Sequence, residues 1–328
     1  MSDAGAVTLG IDVGGTKMLG LALGPDDAVL AEARVPTPQQ DAAALLGAIA
    51  SLARTLQGLL EEEALAPALA LGVGVPGLVD ADGVLRFAPN LPAGTGLAMA
   101  ARLSGDLGMV TVVENDATCA ADAECHDGAA TGVEEALVVT LGTGIGGGVV
   151  SGGQVRRGAH GFAGEIGHMV VDPSGPLCSC GKRGCWERYA SGSGLARLAR
   201  EAAQAGRLQR VVQLAGGDPE SVRGEHVSTA AAAGDAEAVA VLDELAWWIA
   251  LGLANVVLVL DPEVIVIGGG LVDAMGPLLG PVRVQVGAMV DPDGHRPSLR
   301  IVPAALGERA GAVGAALAAR REATCTSG

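Results

Sequence analysis

The chain has 328 residues, with 21 basic and 37 acidic side chains, which gives a formal net charge of −16. A chain of this length predicts two domains, each large enough to bury its own core, and a composition that is 49% hydrophobic and 18% charged is typical of a globular protein. The acidic balance argues against a nucleic-acid partner, because the phosphate backbone of a duplex would repel the protein.

In chain order, hydrophobic periodicity and turn residues predict an alternation of strands and helices. The predicted strands are residues 7–13, 18–23, 28–35, 71–75, 110–113, 136–141, 147–150 and 264–267. The predicted helices are residues 41–63, 96–107, 117–125, 192–205, 228–232, 235–254 and 308–321. We expect a smaller domain of residues 1–117, joined by the returning segment of about residues 306–328, and a larger domain of residues 118–305.

The sequence has no feature typical of a secreted or membrane protein. Asp3 lies where a secretion signal would carry basic residues. The longest apolar run, residues 245–260, is interrupted by Gly252 and Asn255 and is shorter than the about 18 residues that a membrane-spanning helix needs. It therefore predicts a buried helix that continues into a strand, and we expect a soluble cytoplasmic protein with no membrane partner.

A strand–glycine–strand unit occurs twice, with GGT at residues 14–16 and GTG at residues 142–144. This repeat predicts two related α/β domains that face one another. Glycines in a tight turn expose backbone N–H groups that can surround phosphate oxygens, and the Asp12 carboxylate before the first turn would hold Mg²⁺ through water. Either turn alone is equally well explained as an ordinary hairpin, but both together, with the glycine run at 268–270, indicate a nucleotide site.

Two familiar nucleotide-binding motifs do not account for these glycines. Gly142, Gly144 and Gly147 match the spacing of the dinucleotide fingerprint, but that fingerprint opens a helix, whereas the residues that follow here predict a strand and a turn. The P-loop pattern G-x-x-x-x-G-K-[ST] does not occur in the sequence. We therefore expect neither a Rossmann dehydrogenase nor a P-loop kinase.

Three cysteines and one histidine have the spacing of a metal site. Cys178, Cys180 and Cys185 follow His168 at intervals of 10, 2 and 5 residues. Four nitrogen and sulfur ligands are typical of a closed, structural zinc site. The alternative, a disulfide between Cys178 and Cys180, would close a strained ring and leave Cys185 without a partner.

Two glutamates lie beside this cluster, Glu165 before His168 and Glu187 after Cys185. A metal-bound knot would hold both carboxylates still, and carboxylates are good acceptors for the hydroxyl groups of a sugar. For either glutamate alone, an ordinary solvated surface position is the alternative.

A further acid follows a predicted strand, in the segment ENDA at residues 114–117. In open α/β sheets, ligands bind outside the carboxyl ends of the strands. Asp116 would there accept the proton of a substrate hydroxyl that attacks a phosphoryl group, while Asn115 orients that hydroxyl. Position alone leaves a second interpretation equally open, in which Asp116 is the N-cap of the next helix.

Together these segments resemble the ROK family of sugar kinases and sugar-responsive repressors over nearly the whole chain. The matching motifs are DVGGTK at 12–17, GVPG at 74–77, PNLP at 89–92, END at 114–116, LGTGIGGG at 141–148, EIGH at 165–168 and CSCGKRGCWE at 178–187.

The resemblance implies two actin-like (ribonuclease H-like) α/β domains with a nucleotide and sugar cleft between them. It implies ATP-dependent phosphorylation of the C6 hydroxyl of a hexose, first of all glucose, in a homodimer or homotetramer. Mannose, fructose, N-acetylglucosamine and N-acetylmannosamine are alternative substrates. A sugar-sensing regulator is the rival from another class, although the motif that begins at Asp12 leaves little preceding sequence for a DNA-binding domain.

The resemblance also assigns residues, with Asp116 as the catalytic base. The residues implied to bind the sugar are Asn90, Asn115, Asp116, Glu165, His168 and Glu187. The residues implied to bind ATP, with Mg²⁺, are Gly10, Asp12, Gly14, Gly15, Thr16, Lys17, Thr143, Gly144, Gly269 and Gly270. One structural Zn²⁺ is expected on His168, Cys178, Cys180 and Cys185.

Overall fold

The computed structural model describes residues 6–39, 41–89, 91, 94–271 and 278–326. The chain divides into two compact units. Unit 1 comprises residues 1–134, 148–164 and 305–328, and unit 2 comprises residues 135–147 and 165–304.

Unit 1 is built on an α/β sheet whose strands run in the order β3-β2-β1-β4-β8, with a smaller antiparallel sheet β5-β6-β7. The strands are β1 Thr8–Val13, β2 Lys17–Leu23, β3 Val29–Pro36, β4 Ala70–Val75, β5 Leu78–Val79, β6 Val84–Phe87, β7 Leu97–Ala98 and β8 Val110–Asn115. Strands β1, β2 and β3 form an antiparallel meander, and β4 and β8 continue the sheet in parallel.

Helices cover both faces of this sheet. They are α1 Ala42–Glu62, α2 Met99–Leu107, α3 Asp116–Asp127 and α10 Ala310–Thr326. The alternation along β2 separates the two faces: Met18 packs in the core with α1, whereas Leu19 and Leu21 pack with the alanines of α10. Helix α10 occupies the place predicted for a returning helix at residues 308–321.

Glycines allow α10 to lie directly on the sheet. A Cβ built on Gly10 would lie 1.9 Å from Ala312 O, and one built on Gly72 would lie 1.8 Å from Ala315 O. Any other residue at either position would push the helix off the sheet. Gly10 is therefore buried within β1 by helix packing and is not part of the turn that follows the strand.

The division between the units differs from the predicted boundary near residue 117. Helix α3 packs on α10 and stays with unit 1. At its end the buried Glu124 side chain accepts hydrogen bonds from the backbone N–H groups of Ala129 at 2.8 Å, Ala305 at 3.0 Å and Leu306 at 2.9 Å. This carboxylate ties the end of α3 to the segment that returns to unit 1, which the sequence pattern does not reveal.

The second sheet has the order β11-β10-β9-β12-β13. Strands β9, β12 and β13 belong to unit 2, whereas the unit division runs through β10 and leaves β11 in unit 1. The strands of this sheet are β9 Ala136–Leu141, β10 Ile145–Ser151, β11 Gln154–Val155, β12 Val264–Gly268 and β13 Arg300–Pro303. Strand β12 is buried and pairs in parallel with both β9 and β13. The helices of unit 2 are α4 Glu187–Ala190, α5 Gly192–Gln204, α6 Gln209–Leu214, α7 Gly224–Ala232, α8 Ala236–Leu260 and α9 Leu279–Val290.

Helix α8 corrects the prediction for the apolar run 245–260. The helix does not end at residue 254 but continues to Leu260, and it ends where Asp261 adopts a left-handed backbone conformation with φ of 47°. The strand β12 begins only after this turn. Apolar runs of a buried helix and a buried strand have no distinguishing period, so the sequence pattern alone placed the helix end too early.

Two helices, α1 and α8, are long and apolar enough to cross a membrane by length and composition alone, with mean hydropathies of 1.4 and 1.6. Core helices of soluble proteins pass the same test. In this protein, 44% of the most apolar 18-residue stretch of α1 and 56% of that of α8 are buried.

Candidate active site

The first glycine turn, residues 14–16, connects β1 to β2. The backbone N–H of Gly14 donates to Lys17 O at 3.0 Å and closes the turn. Gly15 and Thr16 are exposed, and a Cβ built on Gly15 would meet no atom within 4 Å. Lys17 Nζ lies 3.1 Å from Glu308 Oε2 in an exposed ion pair. The turn is thus an open backbone loop with an exposed ion pair at its side.

Asp12, next to the end of β1, is a half-buried acid. Burial raises its pKa to about 7, and the negative charge of Asp116 adds to the shift, whereas Lys17 lowers it. A Cβ built on Gly311 would lie 2.7 Å from Asp12 Cγ, so the glycine at the beginning of α10 leaves room for the carboxylate. The beginning of a helix favours negative charge. Two carboxylates therefore lie at one end of the sheet, where their mutual repulsion favours a bound cation.

Asn115 and Asp116 have different roles at the beginning of α3. The Asn115 side chain is the N-cap: its Oδ1 accepts from Thr118 N at 3.0 Å, while its Nδ2 donates to Gly77 O at 3.1 Å. Asp116 is the first residue of the helix, so the interpretation of Asp116 as the N-cap is wrong. Burial raises the pKa of Asp116, against the opposing hydrogen bond from Ala117 N at 2.8 Å.

In unit 2, the four predicted metal ligands lie together. The Sγ atoms of Cys180 and Cys185 are 3.6 Å apart, Cys178 Sγ is 3.7 Å from His168 Nδ1, and the four ligand atoms all lie within 4.8 Å of one another. A zinc ion with bonds of about 2.3 Å to sulfur and 2.0 Å to nitrogen requires ligand atoms about 3.5–3.8 Å apart in a tetrahedron. The residues therefore fit a tetrahedral metal ion.

Short backbone pairings shape the loop that carries these ligands. Isolated bridges join Val170 to Cys185 and Leu177 to Arg183. Gly184 has a φ of 68°, and a Cβ on it would lie 1.6 Å from Asp172 O, so only glycine fits there.

The two neighbouring glutamates contact the cluster. Glu187 Oε1 lies 3.0 Å from Cys178 Sγ and 3.6 Å from His168 Nδ1, and Glu165 Oε2 lies 3.8 Å from His168 Nε2. Burial and the Glu187 carboxylate raise the pKa of the Cys178 thiol to about 12. A divalent cation would displace the thiol proton and remove the repulsion between a thiolate and this carboxylate.

The second glycine turn, residues 142–144, packs against the same acid. A Cβ built on Gly144 would lie 2.7 Å from Glu187 Oε2. The backbone N–H groups at the beginning of α5 hold the turn, with Gly192 N donating to Gly142 O at 2.8 Å and Ser193 N donating to Thr143 O at 3.4 Å. Unit 2 therefore brings together a glycine turn, a carboxylate and the histidine–cysteine cluster that fits a metal ion.

Of the two glycines that follow β12, Gly269 packs against the strand that leads into the second turn, whereas Gly270 does not. Gly269 has a φ of 95°, and a Cβ on it would lie 2.5 Å from Leu141 O, at the strand end that leads into the second turn. Gly270 is exposed, with open space around its Cα. Asn90, predicted to bind sugar, lies outside the described residues.

The residue before Glu187 is anchored in the core by a contact that the sequence analysis did not predict. Trp186 is fully buried, and its indole N–H donates to Trp248 O at 2.7 Å. A Cβ on Gly252 would lie 2.0 Å from the Trp186 ring, so α8 receives the indole only at this glycine. The glycine that interrupts the apolar run 245–260 was the signal available for this contact.

Comparisons with known proteins identify relatives over nearly the whole chain. The ROK family model matches residues 8–322. A glucokinase of Streptomyces coelicolor is 37% identical over 317 residues, which cover 96% of this chain and 98% of the relative.

Solved structures share the fold of this chain. A ROK family glucokinase from Streptomyces griseus, in complex with glucose and AMPPNP, has a TM-score of 0.84 and 36% identity over 96% of this chain and 100% of that one. A ROK family transcriptional regulator, a homologue of the Escherichia coli MLC protein, has a TM-score of 0.82 and 26% identity over 98% of this chain and 78% of the regulator. These similarities confirm the predicted α/β fold class.

Proposed function

Because this chain belongs to the ROK family, we propose that it is a hexose kinase that transfers the terminal phosphoryl group of ATP to the C6 hydroxyl of glucose. One observation carries the proposal: the Glu187 carboxylate, suited to sugar hydroxyls, lies 3.0 Å from the Cys178 thiol of the proposed metal site and against the second glycine turn. The Streptomyces coelicolor glucokinase and the glucose-bound Streptomyces griseus structure support glucose as the hexose.

Asp116 would be the general base. The C6 oxygen attacks the γ-phosphorus while its O–H bond breaks, and the bond from the γ-phosphorus to the bridging oxygen of ADP breaks in turn. The proton would pass to the Asp116 carboxylate. Burial raises the pKa of this group, which makes its ionised form a better proton acceptor than an exposed carboxylate. Because Asn115 is the N-cap of α3, the Asp116 side chain is not needed for capping, which supports this role.

Asp12 would hold Mg²⁺ through water, and when bound the ion neutralises phosphate charge. With a pKa of about 7, this acid is only partly ionised at neutral pH in the absence of a cation. Its burial beside Asp116 supports a site whose charge is completed by a divalent ion.

The sugar hydroxyls would bind to Glu165, His168 and Glu187 in unit 2, with Asp116 at C6. Asn115 would contribute the amide hydrogen that its bond to Gly77 O leaves over. The binding of the sugar by Asn90 stays a prediction.

The backbone of the first glycine turn would bind the phosphates of ATP, and its openness supports this role. We do not extend the proposal to Gly10, because α10 covers it. The residues proposed to bind ATP are Asp12, Gly14, Gly15, Thr16, Lys17, Thr143, Gly144, Gly269 and Gly270.

The metal in unit 2 would be a structural Zn²⁺. The ligand set of three cysteines and one histidine is closed, with no position left for a reacting water, and the ligand distances suit zinc. Its proposed role is to hold His168 and Glu187 in place.

The proposed state is a cytoplasmic homodimer or homotetramer that binds neither nucleic acid nor membrane. Light scattering of the purified protein will measure its mass in solution, and the mass of a monomer would overturn the proposed oligomeric state.

A coupled assay with purified protein tests the activity. Glucose, mannose, fructose, N-acetylglucosamine and N-acetylmannosamine are each assayed with ATP and, in parallel, with polyphosphate. We expect the highest kcat/KM for glucose with ATP. Failure to phosphorylate any hexose would overturn the proposed kinase activity, whereas a preference for another hexose would overturn only the assignment of glucose as the substrate. A gel-shift with operator DNA separates the regulator from the enzyme, and we expect no binding.

A further inference from the structure

The carbonyl groups of the first glycine turn are all bound from one short segment, residues 37–39. The buried Thr37 donates its hydroxyl to Gly14 O at 2.7 Å and its backbone N–H to Thr16 O at 3.0 Å. Gln39 Nε2 donates to Gly15 O at 2.7 Å. Three successive carbonyls of one turn therefore have donors from this segment.

This segment continues the edge strand β3. The ladder between β2 and β3 ends at the pair Lys17–Pro36, and the bond from Thr37 N to Thr16 O extends it by one residue. That backbone bond needs no particular side chain at position 37. The bonds to Gly14 O and Gly15 O, however, require a hydroxyl and an amide, so they depend on the identity of Thr37 and Gln39.

Binding of the carbonyls fixes the direction of the N–H groups. A peptide plane carries its C=O and N–H on opposite sides, so a plane whose oxygen is held toward residues 37–39 presents its N–H away from them. Within the described residues the N–H groups of Gly15 and Thr16 donate to no protein acceptor. Glycine-rich turns are otherwise free to rotate, and fixing them before binding lowers the entropy cost of holding a ligand.

We propose that Thr37 and Gln39 are positioning residues of the nucleotide site, which orient the N–H groups of the first glycine turn toward the phosphates of ATP or ADP. The proposal rests on the proposed kinase function. Neither residue touches the nucleotide; both act through the carbonyls of residues 14 and 15.

The experiment compares Thr37→Val, Thr37→Ser and Gln39→Met in the full-length, metal-loaded protein. Valine keeps the shape of threonine and removes one hydrogen bond, so we expect Mg-ADP to bind about three- to tenfold more weakly by calorimetry, with the KM for ATP raised to match. Thr37→Ser should stay within about twofold of wild type, and the exposed Gln39→Met should weaken binding about two- to threefold. The KM for glucose should not change.

Thr55 supplies a matched control, because its hydroxyl donates to a backbone carbonyl, Ser51 O at 3.0 Å, within α1. Thr55→Val should leave Mg-ADP binding unchanged. If Thr37→Val bound Mg-ADP like wild type, or weakened glucose and nucleotide equally, the positioning role would be overturned. Should Thr37→Val fail to fold, Gln39→Met decides by the same criterion. A wild-type protein that bound no Mg-ADP would overturn the proposed function as well, and so the two failures are distinguishable.

Discussion

The two glycine turns share a sequence pattern but are held by different means. Side chains that follow an edge strand hold the turn at residues 14–16, through Thr37 and Gln39. Backbone groups of α5 hold the turn at residues 142–144, which also lies against the Glu187 carboxylate. The repeated glycine motif thus predicts a tight turn at both places, but it does not reveal which groups hold each turn in place. Perturbing the metal cluster should therefore disturb unit 2 and leave the first turn intact.

The largest effect is expected for Asp116 in unit 1, whose substitution should slow phosphoryl transfer and leave glucose binding by unit 2 nearly unchanged. Asp116→Asn keeps the size of the side chain and removes the proton acceptor, so kcat should fall by about 10²–10⁴-fold in the coupled assay. The dissociation constant for glucose, measured by calorimetry, should change by less than about twofold, since the carboxylates of unit 2 remain. Asp127→Asn, at the exposed end of α3, is the control. Wild-type turnover by Asp116→Asn would refute the assignment of the base.

Removal of the proposed metal tests the support of Glu187, which lies against the second turn. Chelation should lower kcat/KM for glucose by about 10²-fold, because Glu187 and His168 lose the ion that fixes them. Mg-ADP binding, assayed after excess chelator is removed, should be retained at the first turn. Added Zn²⁺ should restore activity and release protons, because thiols must ionise to bind the metal. Full activity of protein shown to be metal-free by elemental analysis would contradict this account.

Asp12 provides a test by pH. Its pKa is about 7 in the folded protein and 3.8 for an unperturbed aspartic acid, so the folded state binds more protons between these values and the free energy of unfolding falls as pH rises through this window. In Mg²⁺-free buffer, Asp12→Asn should therefore stabilise the protein by about 1–3 kcal/mol more at pH 8 than at pH 5. Denaturant titrations at both pH values measure this difference. An equal effect at both would show that Asp12 is not titrating in this window.

A matched pair of glycine substitutions compares the two turns directly. Neither Gly144 nor Gly15 has a positive φ, so alanine is tolerated by the backbone at both positions. The methyl group of Gly144→Ala would displace Glu187 and should lower kcat/KM for glucose about tenfold. Gly15→Ala meets open space and should leave the KM for glucose unchanged. Equal effects of the two substitutions on glucose would remove the distinction between the turns.

Some features follow from residues that are close together in the chain. Spacing predicted the metal cluster, and the four ligand atoms do lie together. The acidic residue after β8 was also placed correctly at a strand end. The sequence could not decide whether Asp116 caps α3, because neighbouring Asn115 is an equally good N-cap and only the fold selects between them.

Other features depend on contacts between distant segments. Gly10 was predicted to bind ATP from its position in a glycine-rich motif, but it is covered by a helix 300 residues later in the chain. Thr37, Gln39 and Gly311 were not predicted, since nothing near them in sequence indicates the carbonyl or carboxylate that each one meets.

The sequence by itself determined the α/β class, the histidine–cysteine cluster and the positions of the acids, because spacing, periodicity and residue chemistry act over a few neighbouring positions. The tertiary structure alone decided which glycines serve packing and which leave a turn open. It also decided where the unit division falls and which side chains fix each turn. These depend on contacts between segments far apart in the chain, which local residue preferences do not encode.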